Sequence, residues 1–271
     1  MVDATEQRLL EACARRGVDF TRTVMVGRQQ LADLTYSEPF FRRLGATSVD
    51  SIDASDFEGA TIIADLNRPL PQDLRRRFSV VFDGGTLEHV FDIATALRSC
   101  LDLVELGGHY IASSPANNWP GHAFYQFSPE LVFRTLSPET GFRVRAAFVV
   151  ELRRSQRWYS IPDPQAVGAR VHWTNRFKTE LVVVARRVEL LDLSQFVPQQ
   201  SDYVRRWAAH ELSVDIATSY GPKGRVKSLF WRVTPPTAQR AYELAKVRLR
   251  GTFDSAIFKP VDSSALAEHI A

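Results

Sequence analysis

Cysteine is scarce in this 271-residue chain, which contains two: Cys13 and Cys100. Two cysteines make neither a disulfide framework nor a zinc motif, so a small stapled scaffold is excluded. No apolar run approaches the ~20 residues that a membrane span needs. The first residues, MVDATEQRLL, have no basic-then-apolar leader pattern, and the expected location is cytoplasmic. Repeats and low-complexity tracts are absent, which excludes solenoids and disordered arrays. Charge is close to balance, with 34 Lys+Arg against 31 Asp+Glu and a formal net charge of +3. The basic clusters Arg75-Arg76-Arg77, Arg153-Arg154 and Arg186-Arg187 are too short to be basic arms and read as solvated surface. No nucleic-acid partner is expected. The loop from Arg153 to Arg157, followed by Trp158 and Tyr159, is the cluster best placed to face a substrate. Hydrophobic residues make up 45% of the chain, enough to build a sizeable core.

Short β-branched or apolar runs alternate with helical patterns. A helix is expected over residues 5 to 16, with Leu9, Leu10, Ala12 and Cys13 on one face. Strands follow at Thr23–Val26, Ser48–Asp53, Thr61–Ala64, Ser79–Phe82 and His109–Ser113, and a helix within Asp33–Leu44. A helix beginning near Leu87, with Thr86 as its N-cap, fills the gap between the fourth and fifth strands and carries Cys100 on its apolar face. Gly107-Gly108 ends it. Strand, acidic turn, helix, glycine stop and strand make a βαβ unit. Ser128, Pro129 and Glu130 read as N-cap, first helical residue and first-turn acid of another helix. Phe142–Leu152 and Thr179–Ala185 are the last two strands. The insert between them, 153–178, reads as a loop or small subdomain over the site. Beyond 188 the pattern turns helical, at Tyr203–Leu212 and at Thr237–Arg250 with Thr237 as N-cap and Gly251 as stop. Two regions are therefore expected, 1–188 and a helical extension 189–271. The extension is left with three uses: packing on the sheet, capping the site or making a homodimer contact.

Polar residues gather where the strands end, which is where open α/β sheets bind ligands. Phe82-Asp83, Leu87-Glu88-His89-Val90 and Gly107-Gly108 resemble the fourth and fifth strands of class I S-adenosylmethionine-dependent methyltransferases. Asp65-Leu66-Asn67 with Arg68-Pro69-Leu70-Pro71 resembles the run after their third strand. The resemblance covers roughly Thr23 to Val188. It implies an α/β, Rossmann-like class I methyltransferase sheet, mostly parallel with an antiparallel edge. It implies S-adenosylmethionine as cofactor and a hydroxyl or amine as methyl acceptor. Cofactor contacts would then come from Gly27 and Arg28 after the first strand, Asp53 on the ribose hydroxyls, Asp65 and Leu66 at the adenine, and Asp83 and Gly84 near the sulfur. Arg28 and Gln29 stand where that family keeps small residues, and Arg28 is expected to meet a carboxylate, the cofactor's included.

His122 is the expected general base, because its ordinary pKa lies near working pH. His89 is the alternative base, and Tyr125, Asn117, Asn118 and Glu88 are further candidates beside the site. No HxxxH-type spacing is present, so no metal is expected. There is no GxSxG elbow for a hydrolase and no GxGxxG for a nicotinamide enzyme. DGGTLEHVF and GHAFYQFSPEL together resemble methyltransferase-like proteins of bacterial surface-polysaccharide clusters, which implies a small-molecule or sugar-linked acceptor. The degenerate turn after Val26 keeps a second reading open: a non-catalytic binding or scaffold protein of the same fold.

Overall fold

The computed structural model describes residues 2–208, 234–249 and 253–270. Helix α1, Ala4–Arg15, opens on a capping box: the Asp3 carboxylate accepts from the Thr5 amide at 2.5 Å, and the Glu6 carboxylate accepts from the Asp3 amide at 2.8 Å. It buries Leu9, Leu10, Ala12 and Cys13. The strands that follow are β1 (Arg22–Val26), β2 (Ser48–Asp53), β3 (Ile62–Ile63), β4 (Phe78–Asp83) and β5 (Val104–Asn117), all paired in parallel. Then come β6 (Phe142–Glu151), β7 (Arg157–Ser160), β8 (Thr179–Arg187) and β9 (Lys259–Val261). They form one nine-stranded sheet in the order β3-β2-β1-β4-β5-β8-β6-β7-β9. Strand β8 runs antiparallel between β5 and β6. Five parallel strands with that antiparallel pair match the Rossmann-like sheet that the methyltransferase resemblance implies. Val24, Met25 and Val26 of β1 and Val80, Val81 and Phe82 of β4 are fully buried, so the central strands are apolar on both faces, as a helix-covered parallel sheet requires.

The further α-helices among the described residues are α2 (Glu38–Arg43), α3 (Ile93–Leu103), α4 (Pro129–Thr135), α5 (Pro164–Val167), α6 (Ser201–Ala208) and α7 (Pro236–Leu249). Ser128 caps α4 by accepting from Leu131, and Pro129 occupies its first turn, as expected. Cys100 is buried in the core.

Several expectations need correction. Thr86 does not cap a helix: Leu87–His89 is one 3-10 turn, and α3 starts at Ile93, capped by the Asp92 carboxylate, which accepts from Thr95. The Thr86 hydroxyl instead donates to the Val26 carbonyl at 2.7 Å. Gly107-Gly108 is no gap before the fifth strand, because β5 begins directly after α3 and the two glycines form an irregularity inside it. A Cβ on Gly108 would meet the Ser79 carbonyl at 2.9 Å. Arg187 is not solvated. It is fully buried, and it donates to the Leu101 and Val104 carbonyls at 3.0 and 2.9 Å, tying β8 to the end of α3.

The insert opens with β7, a hairpin partner of β6, and so widens the sheet. Residues after 188 supply a strand as well as helices: β9 pairs with β7, and the 3-10 segment Ser263–His269 packs on α1. Helix α7 starts at Pro236, which places Thr237 inside it. The expected ends at Leu212 and Gly251 lie outside the described residues.

Candidate functional site

The carboxyl ends of β1, β2 and β4 open onto a cleft of about 230 Å³. It is lined by Gly27, Arg28, Gln29, Gln30, Asp53, Glu58, Gly85, Thr86 and His89. Gly27 and Gly85 have φ of +70° and +93°, the left-handed region that glycine enters without strain. Both positions are also crowded. A Cβ on Gly27 would stand 2.5 Å from the Thr86 hydroxyl, and one on Gly85 would stand 3.1 Å from the Glu88 carboxylate. The β1 and β4 turns are thus drawn together. Gln29 completes the stitch: its side chain is buried and donates to the Val26 carbonyl at 2.9 Å and to the Thr86 hydroxyl at 3.1 Å.

Arg28 lies against the cleft wall. Its guanidinium pairs with Glu38 at 2.7 Å, donates to the Glu58 carbonyl at 2.6 Å and stacks over the Tyr36 ring at 3.6 Å. The carboxylate it meets is therefore one of the chain's own. At the far wall, Asp53 ends β2, and one of its oxygens accepts from the Ala54 amide at 2.7 Å. Glu58, in the turn between β2 and β3, is a second acid on this wall that sequence reasoning missed. Its only signal was its place before Gly59, whose φ is +71°.

Asp65 and Leu66 do not line the cleft. Asp65 is exposed and closes a turn on Asn67, accepting from that residue's amide and side chain at 2.9 Å each. Those bonds hold its carboxyl below the usual carboxylate range. Leu66 is buried in the core. Asp83 and Gly84 also sit beneath the cleft rather than in it. Asp83 is 1% exposed and accepts from the Thr86 amide at 2.9 Å. Burial pushes it up to about 6, against the opposing pull of backbone amides. A Cβ on Gly84 would meet the Phe82 ring at 2.8 Å, so this glycine serves packing.

At the β4 end, the fold brings together residues far apart in sequence. Glu88 is 1% exposed, and burial, reinforced by Asp83, pushes it up to about 8. Its Oε1 lies 3.6 Å from His122 Nε2. The His89 and His122 rings stand 5.1 Å apart, and Trp119 lies 4.8 Å from His122 on another side. The loop carrying His122 is fastened to the same turn, because the Phe124 and Tyr125 amides donate to the Glu88 carbonyl at 3.1 and 3.2 Å. Partial burial, and His89 nearby, lower the His122 pKa. A neutral acid therefore faces a neutral imidazole near pH 7, and a neutral imidazole can accept a proton.

Tyr125, Asn117 and Asn118 have structural partners. The Tyr125 hydroxyl donates to the Phe91 carbonyl at 2.7 Å. Asn117 and Asn118 donate to the Asn175 side chain at 3.0 and 2.7 Å, which pins the insert to the end of β5. Asn175 is itself buried and donates to Glu151 at 2.7 Å. The exposed rings of Phe91 and Phe124 meet edge to face, with centroids 5.9 Å apart, beside this loop.

A cavity of about 420 Å³ lies elsewhere, behind α4, among Glu130, Arg134, Arg170 and His172. It is larger than the rim cleft. Its charged groups are already paired, Arg134 with Asp163 and Arg170 with Asp202, and none of the expected site residues borders it. The rim cleft, with His89 and an open acid in its lining, is the better candidate. No helix among the described residues is long and apolar enough to cross a membrane.

No protein-family model matches the chain, and no curated protein matches it. Solved structures do. The chain is similar to a Burkholderia thailandensis 1,6-didemethyltoxoflavin-N1-methyltransferase with bound 1,6-didemethyltoxoflavin and S-adenosylhomocysteine, at 18% identity and TM-score 0.40, over 68% of this chain and 80% of that one. It is similar to an S-adenosylmethionine-dependent methyltransferase from Mesorhizobium loti, at 18% identity and TM-score 0.39, over 66% and 100% of the two chains. A SAM-dependent methyltransferase from Aquifex aeolicus matches at 14% identity and TM-score 0.39, over 69% and 94%. The fold assignment rests on the strand order and pairing described above.

Proposed function

We propose that this chain transfers a methyl group from S-adenosylmethionine to a hydroxyl or amine of a small-molecule or sugar-linked acceptor. The observation that carries the reading is one cleft at the strand rim of a methyltransferase-type sheet, with an open carboxylate at one wall and a Glu88–His122–His89 cluster beyond the other.

The residues fit the cofactor. Asp53 ends β2 beside a free cleft, where a carboxylate can accept from both hydroxyls of a ribose. Gly27 and Gly85 present backbone without side chains, and Arg28 stays against the wall. Bound there, the cofactor supplies an electrophilic methyl carbon. The protein's task is then positioning, exclusion of water and removal of one proton. The Gln29–Thr86 stitch holds the β1 and β4 turns at fixed separation, which preorganises the cleft. His122, with His89 as alternative, takes the acceptor's proton at an imidazole nitrogen. Partial burial and neighbouring His89 keep His122 uncharged, and the Phe124 and Tyr125 amides on the Glu88 carbonyl hold its loop in place. Tyr125, Asn117 and Asn118 are positioning residues for that loop. The exposed rings of Phe91 and Phe124 suit an acceptor with an apolar face, such as a sugar ring.

Calorimetric titration of the purified chain with S-adenosylmethionine and S-adenosylhomocysteine tests this, with Asp53→Ala as control. Micromolar binding that the substitution abolishes supports the reading. No binding by folded, ligand-free protein overturns it and favours a scaffold role.

A further inference from the structure

We propose that Glu88, His89 and His122 form a binding site for a divalent first-row transition ion, zinc(II) first. The three side chains each offer one ligand atom, and these atoms all lie within 4.8 Å of one another. Two imidazoles and one carboxylate are the donor set that zinc and its neighbours take up, whereas magnesium and calcium select oxygen.

The spacing favours an ion over a hydrogen bond. Glu88 Oε1 and His122 Nε2 are 3.6 Å apart, too far for a good hydrogen bond. Two ligands at about 2.0–2.2 Å from a tetrahedral ion lie roughly 3.4 Å from each other. His89 must turn slightly to close the set, and its exposure leaves it free to do so.

A second observation points the same way. Glu88 is 1% exposed, and its Oε2 has no hydrogen-bond partner among the described residues. A buried carboxylate oxygen without a partner is costly, and coordination or hydrogen bonding is the usual remedy. Gly85 leaves room for that carboxylate, because a Cβ there would stand 3.1 Å from its Oε1.

The ligands are also held before any ion arrives. Glu88 and His89 share one 3-10 turn. The His122 loop is bonded to the Glu88 carbonyl through Phe124 and Tyr125. Trp119, which flanks His122, donates its indole N–H to the Thr179 carbonyl at 3.0 Å and carries the Lys178 ammonium over its ring at 4.1 Å. The remaining coordination positions are left for water or for an acceptor oxygen. With the ion bound, an acceptor hydroxyl on it would lose its proton to solvent more readily, and the imidazoles would serve as ligands in place of the base that His122 provides without the ion. The ion site stands on the geometry; only that role rests on the methyl-transfer reading.

The test is a titration of chelator-treated protein with zinc(II) by calorimetry and with cobalt(II) by visible absorption, both without S-adenosylmethionine. One ion per chain is expected, with tetrahedral-type cobalt bands. His89→Ala and His122→Ala should each weaken binding at least ~10-fold, and the double variant should abolish the cobalt bands. Both histidines are exposed, so circular dichroism should show these variants folded. Asp53→Ala should bind the ion normally while losing S-adenosylmethionine, which separates failure of this proposal from failure of the cofactor reading. No binding by folded wild-type protein overturns the proposal. So does binding that survives the double variant, which would mark an adventitious ion only.

Discussion

Asp53 lines the rim cleft, and Glu88 lies buried beside the Gly85 that lines it too. Asp53 is partly exposed at the end of a strand and has one oxygen engaged by its neighbour's amide. Glu88 is 1% exposed on a 3-10 turn, has one oxygen without a partner and is pushed up to about 8. Both are carboxylic acids; burial, reinforced by Asp83, sets Glu88 apart. The exposed one stays available as a hydrogen-bond acceptor, suited to holding a ligand. The buried one is neutral at pH 7 and lies 3.6 Å from His122. Where a sheet places an acid relative to water decides whether it binds or tunes.

The largest test of that contrast removes the exposed acid. Asp53→Ala should cost about 3 kcal/mol, two charge-assisted hydrogen bonds, or roughly 100-fold in S-adenosylmethionine affinity by calorimetry. The fold should be unchanged by circular dichroism. Next comes the seam between the two ends. Gly27→Ala forces a side chain into a left-handed backbone 2.5 Å from the Thr86 hydroxyl. About 1–3 kcal/mol of strain should lower the melting temperature by several degrees. Loss of cofactor affinity should accompany it, about 10-fold.

The third test sharpens the comparison through pH. The Glu88 pKa is raised on folding, so the folded state binds a proton that the unfolded state releases. Stability of metal-free protein should therefore fall as pH rises from the unfolded carboxylate value towards about 8, and level off above that. Glu88→Gln should remove about 1 kcal/mol per pH unit of that slope, read from denaturant midpoints. Glu180, also pushed up to about 8 by burial, supplies a control. Glu180→Gln should flatten the slope similarly and leave the His122 pH–rate profile in place. The smallest effect belongs to the acceptor side: Phe124→Ala should raise the acceptor KM about 3-fold, roughly 0.7 kcal/mol, without changing cofactor affinity.

The sheet was legible because its strands are short β-branched or apolar runs punctuated by acids and glycines. Ser48–Asp53 has the observed bounds, and Thr23–Val26 and Phe142–Leu152 differ by one residue at an end. The Asp53 wall followed, since a strand-ending acid announces itself. The Glu88 end was only half visible. Glu88, His89 and His122 could each be named, but their meeting depends on backbone bonds from Phe124 and Tyr125 that no spacing encodes. Thr86 misled for a related reason, because its hydroxyl serves a carbonyl on another strand instead of its own helix. Asp65 sits in a run that resembles a cofactor contact, yet its carboxylate is absorbed by a local turn. Lys259–Val261 gave no signal, since three residues around a proline do not read as a strand.

That last strand bears on how the chain avoids itself. A sheet nine strands wide has two open flanks, and an open flank invites pairing with another molecule. One flank here is β3, only two residues long. The other is β9, where Pro260 withholds an amide and Lys259 adds an exposed charge. Without β9, the flank would be β7, with Trp158 and Tyr159 on a strand whose amides are ready to pair. During synthesis, β7 emerges long before residues 259–261 can cover it. The nascent chain therefore passes through an interval in which the β7 edge is uncovered, and the late-made strand with proline at its centre ends that interval.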